Sequence, residues 1–152
     1  MGELDLTIPV DVETACVFAG ARVLPMEDHA GAGEAVGLYV GGGVLRVMSD
    51  LHPWVRRVTI AHELGHHVLR HDIRNRWESV NGLSLRGADT HETEAWAFAA
   101  ELLIPGNQIK PLLASGTTSS ALARILQVTR PFLFVELDRR RLLARLLPED
   151  QP

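Results

Sequence analysis

The apolar positions of this chain follow two rhythms. Ala35–Val40 and Val44–Met48 are short strand-like runs joined by Gly41-Gly42-Gly43, which predicts a hairpin. Arg22–Pro25 adds another short strand. Elsewhere the period is helical. Val10 to Gly20 predicts a first helix, opened by Pro9 and stopped by Gly20. Val55, Val58, Thr59, His62, His66 and Leu69 fall on one stripe, predicting a helix from Pro53 to about His71. A second strong helix, His91 to Leu103, carries the stripe Ala95, Phe98, Ala99, Leu102 and Leu103. Asp89-Thr90 caps it and Pro105-Gly106 ends it. Further helices are expected near Gln108–Ala114, Ser119–Leu126 and Arg130–Leu146. Ile73 to Ala88 has no period and carries turn signals at Asn81-Gly82 and Arg86-Gly87, so it reads as a long rim loop. Gly31-Ala32-Gly33 reads as a shorter loop. The pattern predicts an α+β fold, a small sheet packed beside a mostly helical body.

Two polar residues on the buried stripe need an explanation. His62 and His66 are four apart, so on a helix they lie one above the other, about 6 Å along the axis. Facing inward without partners they would be costly, and an ion held by both removes that cost. Their rings can converge on one zinc at roughly 2.1 Å each. Glu63 is rotated by about 100° from His62, so it flanks such an ion without ligating it. This H-E-x-x-H arrangement suits zinc activation of water with a glutamate as proton acceptor.

A catalytic zinc commonly takes three protein ligands and a water. The downstream candidates are His91, Glu92, Glu94 and Glu101. Asp89-x-x-Glu92 has the spacing of a capping box, which offers Glu92 a structural role. Glu94 has no such role and lines up with Phe98 and Leu102, so helix geometry favours Glu94 over Glu92. Tyr39 and His91 are candidates for stabilising an oxyanion. His67 and His71 also lie four apart on another face, where dipole complementation or a contact to a ligand is expected rather than a second metal.

Arg57–His66 followed by Glu92–Pro105 closely resembles the ImmA/IrrE family of metallo-endopeptidases. That family pairs an H-E-x-x-H helix with a later E-x-E-A-x-x-F-A-x-x-L-L-x-P helix. The resemblance implies that His62, His66 and Glu94 bind Zn2+ and that Glu63 is the general base. It also implies a small zincin-like fold forming a single metallopeptidase domain over 1–152, with a catalytic core over 1–115 and a helical part over 116–147. The implied activity is cleavage of a cytoplasmic regulator such as a helix-turn-helix repressor, often encoded nearby. Two residues depart from the pattern: Trp96 stands where a polar residue is expected, and Pro131 interrupts the weakly helix-turn-helix-like segment from Ala121.

Composition narrows the remaining classes. The 152 residues carry a net charge of −4, which argues against a nucleic-acid binder. Yet Ser120 to Leu147 holds Arg124, Arg130, Arg139, Arg140, Arg141 and Arg145 against Glu136 and Asp138, read as a solvated face. Cys16 has no cysteine to pair with and reads as a small core residue. No apolar run reaches membrane-spanning length and no signal peptide opens the chain, so a cytoplasmic location is expected. The competing reading is a metal-binding sensor or regulator acting on a partner or on DNA without catalysis. Glu63 favours the enzyme, since a pure binding site has no use for a general base. Val44–Met48 is the candidate strand for holding a substrate backbone.

Overall fold

The computed structural model describes residues 7–26, 36–72 and 85–149, with backbone alone over 85–89. The expected loops at Gly31–Gly33 and at 73–84, with the turn at Asn81-Gly82, lie outside the described residues. The fold is α+β as the periodicity predicts: six α-helices and one three-stranded sheet among the described residues. The chain divides into two compact units, Asp11–Ala99 and a second made of Met1–Val10 with Ala100–Pro152.

The first unit opens with α1, Val12–Phe18. Asp11 caps it, its Oδ1 accepting from the N–H groups of Glu13 and Thr14. β1 (Arg22–Pro25), β2 (Gly37–Tyr39) and β3 (Val44–Val47) follow. β2 and β3 form the expected hairpin, with Gly41, Gly42 and Gly43 all at positive φ. A Cβ at Gly43 would stand 2.6 Å from Gly20 O, so that position also needs glycine for space. β1 pairs with β3 in parallel, giving the order β1-β3-β2. β3 is therefore the central strand, paired on both sides, which corrects its assignment as a strand free to take a substrate. Among the described residues β1 and β2 are the two edge strands, and of these β2 is the one packed against α2.

α2 (Pro53–Val68) packs on β2 and β3. Pro53 occupies the first turn as predicted, and nine consecutive residues from Val58 to His66 are buried. The helix stops before His71. Arg70 adopts φ +56, and the His71 N–H bonds back to His66 O at 2.9 Å, closing a Schellman turn. Leu69, placed on the buried stripe by periodicity, is 43% exposed at this exit. α3 (Leu85–Leu103) begins earlier than its cap signal implied. Asp89 and Thr90 lie inside the helix, as do Arg86 and Gly87, so neither the cap nor the second turn signal operates.

The second unit comprises the last turn of α3, then α4 (Gly106–Ser115), α5 (Ser119–Leu126) and α6 (Arg130–Arg139). Pro131 sits in the first turn of α6, where no backbone N–H is required, so it starts that helix rather than breaking it. α6 is shorter than expected because Arg141 takes φ +58 and Leu142 N–H bonds to Leu137 O, a second Schellman turn. The arginine run is partly used within the unit. Arg139 and Arg140 both pair with buried Glu136, and Arg140 also donates to Ile104 O and Ala100 O. Among the described residues no helix is long and apolar enough to cross a membrane.

Glu149 ties the C-terminal tail to the N-terminus of α5. Its Oε1 accepts from Ser119 Oγ, Ser120 Oγ and Ser120 N–H at 2.5, 2.6 and 2.7 Å, and Arg130 reaches Oε2 at 3.0 Å. The serine hydrogen bonds lower the Glu149 pKa from 4.5 to about 2, with Arg130 adding to them. Because the folded value lies below the unfolded one, this stabilisation is present above pH 4.5 and is lost as pH falls toward 2. Glu149→Gln should therefore lower the melting temperature above pH 4.5, with the gap to wild type closing below it. A gap that stays constant with pH would exclude this origin.

Candidate metal centre

The centre is built from α2 and α3. His62 and His66 are 4% and 0% exposed, and Glu63 between them is 3% exposed. Their Nε2 atoms converge to 3.2 Å. Glu92 on α3 completes the group: Oε2 lies 3.0 Å from His62 Nε2 and Oε1 lies 3.0 Å from His66 Nε2. These three residues each offer a ligand atom within 4.8 Å of the others, a group able to hold a metal ion. Burial pushes the Glu92 carboxyl upward, but the two imidazole rings beside it outweigh this and hold it below the usual carboxylate range.

The donor set fits a divalent ion. Four ligands at about 2.0 Å in a tetrahedron are separated by about 3.3 Å, close to the 3.0 to 3.2 Å found here. Two imidazole nitrogens and a carboxylate are also the donors that zinc and other first-row ions accept.

Glu92, not Glu94, is the carboxylate that α3 brings to the histidines. The preference for Glu94 rested on a capping role for Glu92, and that role vanishes because α3 starts at Leu85. Glu92 and Ala95 are three apart and share the face turned to α2, whereas Glu94 is rotated from Glu92 by about 200°. Glu94 Oε2 stands instead 2.8 Å from His71 Nε2. His71, 7% exposed, in turn stands 2.8 Å from His66, Nδ1 to Nδ1, in contact with one of the two candidate ligands.

Gly65 explains how α3 comes so close. A Cβ there would lie 3.0 Å from Ala95 O, 3.1 Å from Ala95 Cα and 3.2 Å from Phe98 Cβ. Ala95 and Ala99 are fully buried, so small residues line the approach on α3 as well. Gly37 does the same for β2, since a Cβ there would stand 2.4 Å from Thr59 Cγ2. That approach lets the Tyr39 N–H donate to Glu63 Oε2 at 2.7 Å.

The remaining candidates fall elsewhere. The Tyr39 hydroxyl lies 3.4 Å from His67 Nδ1, and His67 Nε2–H donates to Ala19 O at 2.9 Å. Tyr39 thus serves the site through its backbone, which no residue pattern announces. His91 stacks on His71 with ring centroids 4.2 Å apart. Trp96, the departure from the expected polar residue, lays its ring on His62 at 4.0 Å. Cys16 is buried, and desolvation pushes its thiol up to about 11, helped by the Glu13 charge, consistent with a packing role.

A small α+β protein that buries an H-E-x-x-H helix and sets a carboxylate against both histidines has the makings of a metallopeptidase. Residues 18–137 match the peptidase family described as the IrrE N-terminal-like domain, Peptidase M78, and the chain belongs to this ImmA/IrrE family. No curated protein matches the chain.

The α2–α3 approach is directly testable. Gly65→Ala gains about 1 kcal/mol of helix propensity, yet its methyl must push α3 and Glu92 outward. We expect the binding of a divalent metal ion to weaken about tenfold, measured by competition with a chromophoric chelator. Unchanged affinity would show that this contact does not hold Glu92 in place.

Proposed function

We propose that this chain is a zinc-dependent endopeptidase that cleaves a cytoplasmic regulatory protein, such as a helix-turn-helix repressor. His62, His66 and Glu92 are the protein ligands in this reading and Glu63 is the general base. The observation that carries it is the convergence of two buried Nε2 atoms and one carboxylate beside a buried glutamate. Membership of a peptidase family supports a protein substrate. Glu92 replaces Glu94 as third ligand because it is the carboxylate within 3.0 Å of both rings.

A divalent ion held there supplies Lewis acidity, which makes water nucleophilic near neutral pH and polarises a scissile carbonyl. The chain's own residues do the rest. Glu63 takes the proton from water and passes it to the leaving amine. The Tyr39 N–H fixes the carboxylate by holding Oε2. β2 is the strand suited to align an extended substrate. Val40 N–H bonds to Val44 O and Met48 N–H to Val36 O, so the backbone groups of Gly37 and Tyr39 point away from β3, the Tyr39 N–H toward Glu63.

The test is co-incubation of the purified chain with zinc and a helix-turn-helix repressor encoded beside it, where the genome holds one, or otherwise an unstructured protein substrate, against a chelator control. Glu63→Gln should lose cleavage by about 10²- to 10⁴-fold while still binding one zinc per chain. Cleavage that survives this change would overturn the peptidase mechanism. Glu92→Ala should lose both zinc and cleavage.

A further inference from the structure

Glu94 and His71 form a chain of contacts that ends on His66. Glu94 Oε2 is 2.8 Å from His71 Nε2, and His71 Nδ1 is 2.8 Å from His66 Nδ1. Hydrogen-bonding capacity assigns each proton. A carboxylate only accepts, so His71 Nε2 carries the proton and donates. The neutral His71 ring then has a bare Nδ1, and the proton shared with His66 must sit on His66 Nδ1. A neutral His66 is left with a bare Nε2. That lone pair faces Glu92 Oε1 at 3.0 Å and His62 Nε2 at 3.2 Å.

We propose that Glu94 and His71 are positioning residues that lock His66 in the tautomer presenting Nε2 to a metal ion. The inference rests on the metal-site reading above. Two features of the fold place this relay. The Schellman turn at Arg70 folds His71 back beside the last turn of α2, and the His91 ring packs flat on it, 14° from parallel. His62 is treated differently. Its Nδ1 is buried with no partner among the described residues, and Trp96 supports its ring by packing. Tautomer selection thus acts on one histidine of the pair, through a carboxylate that touches neither.

The test uses the full chain, with zinc affinity read by chelator competition and geometry read from the visible spectrum of the cobalt-substituted form. Glu94→Ala should still bind one ion per chain, with affinity about 10- to 100-fold weaker and a shifted cobalt spectrum. Glu94→Gln should recover part of the loss, because its amide oxygen still accepts from His71 Nε2–H. His71→Asn keeps an acceptor for His66 Nδ1–H but cuts the link to Glu94. In that background Glu94→Ala should have no further effect. Unchanged affinity in Glu94→Ala, or losses that add in the double variant, would overturn the proposal. Binding abolished by Glu94→Ala but retained by Glu92→Ala would make Glu94 the ligand and overturn the assignment of Glu92 as well. Wild-type chain that binds no ion would overturn the metal-site reading itself.

Discussion

The approach of α3 to α2 at Gly65 is the constraint on which the centre depends. A helix normally keeps its neighbour at the distance its side chains set. At Gly65 there is no side chain, and Ala95 and Ala99 present only methyl groups in return. The two backbones therefore close up, and Glu92, one turn before Ala95, arrives level with His62 and His66. A steric property of small residues thus fixes an electrostatic arrangement.

That arrangement resolves an otherwise unfavourable burial. Nine consecutive residues of α2 are buried, and three of them are His62, Glu63 and His66. Each of these polar groups meets a partner from a different element: Glu92 from α3, the Tyr39 N–H from β2, and His71 from the turn after α2. The partners thus come from three directions. Apart from His62 Nδ1, which has no partner among the described residues, these groups are satisfied together.

Much of this was legible in the residues and some was not, for specific reasons. The hairpin was readable because Gly41-Gly42-Gly43 has one structural use between two apolar runs. α2 was readable because its stripe ran through His62 and His66. The carboxylate nearest the histidines was not legible because Asp89-Thr90 has the look of a helix cap, while the helix had already begun at Leu85. The ends of α2 and α6 were overrun because Arg70 and Arg141 take the left-handed conformation, for which glycine is the usual signal. The central place of β3 was hidden because its parallel pairing with β1 is a long-range contact with no local signature. The contact of His71 with His66 and its link to Glu94 depend on a turn and a helix start that periodicity does not encode.

The bond from the Tyr39 N–H to Glu63 has a consequence for how this site varies over evolution. Its donor is a peptide group, which every amino acid except proline supplies. Position 39 can therefore change its side chain while the glutamate keeps its anchor. What selection must preserve is the register of β2 against β3 and the absence of a side chain at Gly37, two features that a comparison of catalytic residues alone would pass over.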